Sequence, residues 1–307
     1  MYSNFYENIR RMFWDGTQTD KNGVTVVYKL DEYGIKHSIW RALRDYTART
    51  EEKKEGDSSA SADKMICAMP KFIARMNEYF GMKEPYTTAT EYDTWHNQMC
   101  ELFMSEMQEH KIRAEVKYGK AQKIVNMSMK TIFCLNGADQ KAEEGYFDFC
   151  HMPLDSITIN WFREYVAERW FNLHKKRNER IKISLEGGPL PKWSSLTFAA
   201  ADTYANYCNK INQYSKQTPY DYMFFVTMIR EYFKQPSTIN FYDGLTPFEA
   251  EFYIWAEMQY EMAAETLLKQ DLIEKLQSNV DISVNNARIK SLNKKIGQLL
   301  LDLSEFY

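Results

Sequence analysis

Two short stretches of the 307-residue chain hold side chains whose types and order suggest chemistry. The first is Lys117-Tyr118-Gly119-Lys120-Ala121-Gln122-Lys123, followed by Ile124 to Lys130. Its glycine lets backbone approach a ligand closely, and the first turn of a following helix presents amides without intrahelical partners. With Lys120 and Lys123 alongside, that is the composition of a phosphate cradle. The second is Cys150-His151-Met152-Pro153-Leu154-Asp155, an extended proline-containing piece that delivers an acid to the N-terminus of an amphipathic run. By itself Asp155 reads as a helix cap, and the helix terminus keeps such a carboxylate ionised. A lysine amine attacks carbon only when neutral, so burial or a cationic neighbour such as Lys120 has to ease its deprotonation.

Taken together, the two stretches resemble the helix-hairpin-helix DNA glycosylases, in the 8-oxoguanine glycosylase-like branch. In that family a hairpin of the form GVGxK opens a helix and a VPVD segment follows. Here Gly119-Lys120-Ala121-Gln122-Lys123 falls on the hairpin and Met152-Pro153-Leu154-Asp155 on the second piece. The resemblance implies that the hairpin backbone grips a DNA phosphate, that Lys123 attacks the sugar C1′ to form a Schiff base, and that Asp155 assists its deprotonation or stabilises positive charge on the sugar. It also implies extrusion of the target base into a pocket. Lys117, Gly119, Lys120, Gln122 and Lys130 are then expected on the nucleic acid, joined by Lys175, Lys176 and Arg177. Ala121 replaces the second hairpin glycine, Lys117-Tyr118 replaces a leading Leu-Pro, and the loop from Asn136 to Gly145 lengthens the spacing between Lys123 and Asp155. A terminal four-cysteine cluster is absent from the sequence, so no iron–sulfur cofactor is expected. About forty residues carry the likeness.

Other chemistry-bearing residues read more plainly. Cys150 and His151 are adjacent, but a zinc site needs about four ligands at compatible spacing, and no metal is expected. Glu249 and Glu251 lie two apart on a helix and point in different directions, one as a cap and one solvated. Gly187-Gly188-Pro189 lacks the form of a nucleotide loop. Trp161, Trp170, Trp193 and Trp255 are expected in the core or at an interface. The basic runs Lys111 to Lys130 and His174 to Lys182 read as solvated helix faces, or as local polyanion sites in a chain whose net charge is −3.

The elements that must position these residues are mostly helices. Helical spacing is expected over residues 3–14, 35–49, 64–80, 91–111, 156–180, 196–217, 220–234 and 246–271, with Thr246-Pro247-Phe248-Glu249 a capped start. Val24-Thr25-Val26-Val27-Tyr28, between turn signals, is expected as a small hairpin or edge strand. Thr50 to Asp63 lacks an apolar anchor and reads as a mobile loop. Glu186-Gly187-Gly188-Pro189-Leu190-Pro191 marks a hinge, dividing 1–185 from a helical region 186–307 that either stands apart or packs into the same globule. The seam Ile289, Leu292, Ile296, Leu299, Leu303 spans about two heptads, so it suits a terminal helix packed on its own domain or a protein partner.

Composition bounds the rest. The chain is long enough for a real core without staples, and 44% hydrophobic residues exclude a disordered or fibrous protein. Five widely spaced cysteines suit a reducing compartment, and neither a leader nor an eighteen-residue apolar run is visible, so a cytoplasmic protein without a membrane partner is expected. The fold class is mainly α: a multi-helix globular protein with a helix-hairpin-helix element and a small hairpin near the N-terminus. Two functions follow, a base-excision glycosylase or lyase that binds DNA, or a non-catalytic helical protein that binds nucleic acid or a protein partner.

Overall fold

The β-branched run near the N-terminus pairs as expected. In the computed structural model, which describes residues 13–50, 58–112, 116–183, 192–214, 221–240, 242 and 244–260, β1 (Thr17–Thr19) runs antiparallel to β2 (Thr25–Val27) with Gln18 opposite Val26. Asp20 shapes the turn by accepting from the amides of Asn22 and Val24, and Gly23 supplies the positive φ of 81°.

Helices follow: α1 (Glu32–Thr50), α2 (Ser58–Cys67), α3 (Pro70–Gly81), α4 (Ala89–Glu109), α5 (Tyr118–Phe133), α6 (Ala138–Glu143) and α7 (Ser156–Trp161), which continues as a π-helix over Phe162–Phe171. After them come α8 (Tyr204–Asn209), α9 (Ile211–Tyr214) and α10 (Tyr222–Phe233), then helical residues 247–260. The protein is mainly helical, with one small hairpin near its N-terminus. Among the described residues no helix is long and apolar enough to cross a membrane. The five cysteines are free thiols.

Several boundaries differ from the sequence reading for local reasons. The helix expected over 64–80 breaks before Pro70, which has no amide to donate and starts α3 instead. Residues 58–63, expected in a loop, are the first turns of α2, whose Ala62 and Met65 are fully buried and whose Asp63 accepts from the Trp40 indole at 2.7 Å. The helix expected over 156–180 ends at Phe171; His174 lies in a turn, Lys175 and Lys176 in irregular backbone, and Arg177 opens a short 3-10 helix over Arg177–Glu179. Residues 196–203 are irregular rather than helical, with a single bridge from Thr197 to Asp221. Helix α4 begins with a reciprocal capping box between Thr88 and Glu91, and Thr246 and Glu249 build the same device, as expected. Residues 3–12, the hinge and boundary near 185–186, and the seam at 289–303 lie outside the described residues.

The chain divides into two units, Met1–Glu251 and Phe252–Tyr307; of the second, residues 252–260 are described and are helical. At the centre of the first unit stands α5. Every residue from Tyr118 to Phe133 except Lys120 is buried, because α1, α4 and the turn at Trp193–Ser195 all pack on it. A helix enclosed on all sides is ordinarily apolar throughout. This one carries Gln122, Lys123, Asn126, Ser128, Lys130 and Thr131 inward, so each needs a protein partner.

Candidate functional site

Gln122 is the mechanical link between the two stretches. Its Nε2 donates to the carbonyls of Gly119 and Leu154, both at 2.8 Å, while its Oε1 accepts from the Leu154 amide at 3.3 Å. One side chain thus joins the start of α5 to the segment before Asp155, which explains why residues so far apart in sequence meet. Lys123, one position on, places its ammonium 3.1 Å from Asp155 Oδ2.

The aspartate has a second duty. Its Oδ1 accepts from the amides of Ile157 (2.9 Å) and Thr158 (3.2 Å), and the Thr158 hydroxyl accepts from the Asp155 amide, a reciprocal cap at the start of α7. Burial pushes its carboxyl up, but the Lys123 charge and these donors outweigh that, holding it below its ordinary value. Both side chains are nearly closed off, at 6% and 8% exposure, and the Lys123 ammonium lies 4.7 Å from the centre of the Trp193 ring. The turn at Trp193–Ser195 is also held by the start of α5. The Gly119 amide donates to the Leu196 carbonyl at 3.0 Å, and a Cβ at Gly119 would come within 2.0 Å of the Trp193 carbonyl. Glycine is therefore needed there for close packing against the protein's own backbone.

A second polar chain runs from the same helix. Asn126 donates to Gln122 Oε1 and to the Tyr222 hydroxyl, both at 3.0 Å, and accepts from His96 Nε2 at 2.9 Å. Because Tyr222 accepts there, its own proton goes to His151 Nδ1 at 2.9 Å, which leaves His151 Nε2–H to donate to Asp93 at 2.7 Å. Arg230 closes the chain with a bidentate pair to Asp93, two contacts of 2.8 Å. Burial holds His151 below its ordinary value, against the pull of Asp93, and so favours the neutral tautomer this order requires. Asp93, raised by burial but bonded by His151 and Arg230, is held well below its ordinary range.

Of the residues singled out by sequence, Lys123 and Asp155 are together and Gln122 stands beside them, buried and bonded to protein. Gly119 is buried under the Trp193 turn, and its amide is taken by Leu196. Lys130 does not join them. It is buried seven residues along α5, its ammonium against the Glu251 carboxylate and 4.4 Å from the centre of the Phe13 ring. Glu251, expected to be solvated, is 2% exposed, because position 251 faces the side of α5 that carries Lys130. The solvated-face reading fails for Lys123 and Lys130 for the same reason: α5 is enclosed. Lys117, Lys175, Lys176 and Arg177 are exposed, and Lys120 is half-buried. Sequence reasoning missed Asn126, Tyr222, Asp93 and Arg230, whose partners, apart from Gln122 beside Asn126, lie tens of residues away and follow no local pattern. Compared with protein-family models, curated proteins and solved structures, the chain gives no match in any of the three.

Proposed function

We propose that this protein is a DNA-binding base-excision enzyme of the helix-hairpin-helix glycosylase type, in which the turn before α5, α5 itself and residues 150–161 form the helix-hairpin-helix element, Lys123 is the nucleophile and Asp155 the supporting acid. One observation carries the reading: an amine and a carboxylate 32 positions apart converge at 3.1 Å on a helix N-terminus. Neutral Lys123 attacks C1′ of the nucleotide, and the departing base takes the electron pair of the glycosidic bond together with a proton. Nitrogen then loses its own proton and the sugar ring opens to the imine. Asp155 accepts the ammonium proton before attack, passes it to the departing base, and, ionised again under its amides, stabilises the positive charge on the sugar. Access requires the Trp193 ring to leave the face of the ammonium. Lys117, Lys120 and the exposed run Lys175 to Arg177 serve the phosphates, while buried Gly119, Gln122 and Lys130 hold the element together.

A second reading, a non-catalytic helical protein that binds nucleic acid or a protein partner, is favoured by the Gly119 amide being bonded to Leu196 and by the low exposure of the pair. Borohydride reduction of the full chain mixed with duplexes carrying abasic or damaged bases separates the two. A covalent adduct with wild type that vanishes in Lys123→Gln, with helicity unchanged by circular dichroism, is the expected result. No adduct on any substrate, with DNA binding retained, selects the second reading.

A further inference from the structure

Cys150, His151 and Met152, which lead to Asp155, also line a half-open cleft of about 410 Å³. Its facing wall is a single stripe of α10, Val226, Ile229, Arg230 and Phe233, and Phe149 adds a further apolar surface. That volume falls within the range of roughly 300–1,000 Å³ typical of small-molecule sites, and apolar walls with a few polar groups are their usual lining.

The polar groups define what would fit. Of the five N–H groups of Arg230, two bind Asp93 and a third binds the Phe149 carbonyl at 3.3 Å. The other two have no partner among the described residues, and the side chain is 22% exposed. Asp148 also lines the cleft, and its carboxylate accepts no hydrogen bond from a described residue. Both lining cations are already paired, Arg230 with Asp93 and Lys234 with Glu231 at 2.5 Å, which leaves Asp148 as the unpaired charge of the lining. An anion would therefore meet Asp148 with no spare cation, and a cation without an acceptor would leave the two remaining N–H groups of Arg230 unmet. A molecule that offers an acceptor to Arg230 and a donor to Asp148 satisfies both without adding charge.

We propose that this cleft binds a neutral, planar heteroaromatic molecule of one or two fused rings, with a carbonyl or ring-nitrogen acceptor on Arg230 and a ring N–H on Asp148. The site is independent of the chemistry assigned to Lys123, because binding is read directly and needs no turnover. The test is calorimetric titration of the full chain with three probes of similar size: quinazolinone, a neutral lactam; naphthoate, an anion without a donor; and naphthylmethylamine, a cation. Quinazolinone is expected to bind in the millimolar range proper to so small a ligand. The two charged probes are expected to bind at least about tenfold more weakly. Asp148→Ala should weaken quinazolinone several-fold. Ala89→Trp, which fills the cleft from the first turn of α4, should weaken it by about tenfold or more, and Val226→Phe fills the same space from α10 should the first variant fail to fold. Naphthoate binding as tightly as quinazolinone, affinity that rises in Asp148→Ala, affinity indifferent to both filling variants, or no binding at all would each overturn the assignment.

Discussion

Helix α5 carries two lysines seven positions apart, and each meets a carboxylate inside the protein, yet the two acids are held in opposite ways. Asp155 has Lys123 and two amides of a helix N-terminus, and its carboxyl lies below its ordinary value despite burial. Glu251 is also buried against a lysine, yet burial wins and its carboxyl is raised. The difference is the backbone. Position 251 lies past the first turn of helical residues 247–260, where amides are taken by carbonyls one turn back. A single buried ammonium does not secure a carboxylate; added N–H donors do. The pair read as chemical is thus the one whose acid stays charged as the surroundings dry, and the other is poised to become neutral.

The contrast breaks first at Asp155. In Asp155→Ala, Lys123 is left buried without its partner and α7 loses its cap, so unfolding free energy should fall by about 4–6 kcal/mol: about 3–5 for the orphaned charge and about 1 for the cap. Asp155→Asn keeps a capping oxygen and should recover only the smaller part. Urea denaturation of the two variants measures both. A loss in Asp155→Ala within about 1 kcal/mol of wild type would show that Lys123 needs no partner, and the comparison would collapse.

Lys130→Met should cost less, about 1–3 kcal/mol, because Glu251 can answer by keeping its proton and pays only for an unpartnered neutral group. The pH dependence sharpens the point. A carboxyl lowered in the folded state contributes stability that is present above its unfolded value and lost as pH falls through the folded one, so the Asp155 contribution disappears below pH 3.8. A carboxyl raised in the folded state acts the other way: stability declines as pH rises from 4.5 through the folded value. Thermal unfolding of Glu251→Gln, compared with wild type between pH 4.5 and neutrality, should show that decline removed. A variant as pH-dependent as wild type in this window would place the slope elsewhere.

The sequence made one of these pairs legible and hid the other. Lys123 and Asp155 stood out because each sat in a local pattern, a glycine turn and a proline-led cap, and both patterns could be read without knowing what they touched. Lys130 and Glu251 belong to no pattern: for want of a visible partner, Lys130 reads as a nucleic-acid contact or part of a solvated face, and Glu251 as solvated. The same limit applied to Gln122, read as a nucleic-acid contact but bonded to Gly119 and Leu154. Helix spans with strong periodicity or caps, such as α4 and α10, were also legible, whereas the stretch after Trp193 was not. Its residues 196–203 are irregular, and the Leu196 carbonyl among them receives the Gly119 amide, a long-range contact that local propensity does not encode.

The smallest expected effect belongs to the double variant Lys130→Met with Glu251→Leu. Removing one member of a buried pair strands the other, but removing both replaces two poorly solvated groups by apolar ones of similar length in a space already lined by Phe13. The lost attraction and the relieved desolvation then nearly cancel, and stability should lie within about 1 kcal/mol of wild type, recovering most of what Lys130→Met alone loses. The matching double change at Lys123 and Asp155, to Met and Leu, should not recover in this way, since the amides of Ile157 and Thr158 would still lack the acceptor that Asp155 gives them. Urea denaturation of the two doubles side by side reads that asymmetry. Equal recovery in both would mean that the cap contributes nothing and that the two acids differ only in their distance from the surface.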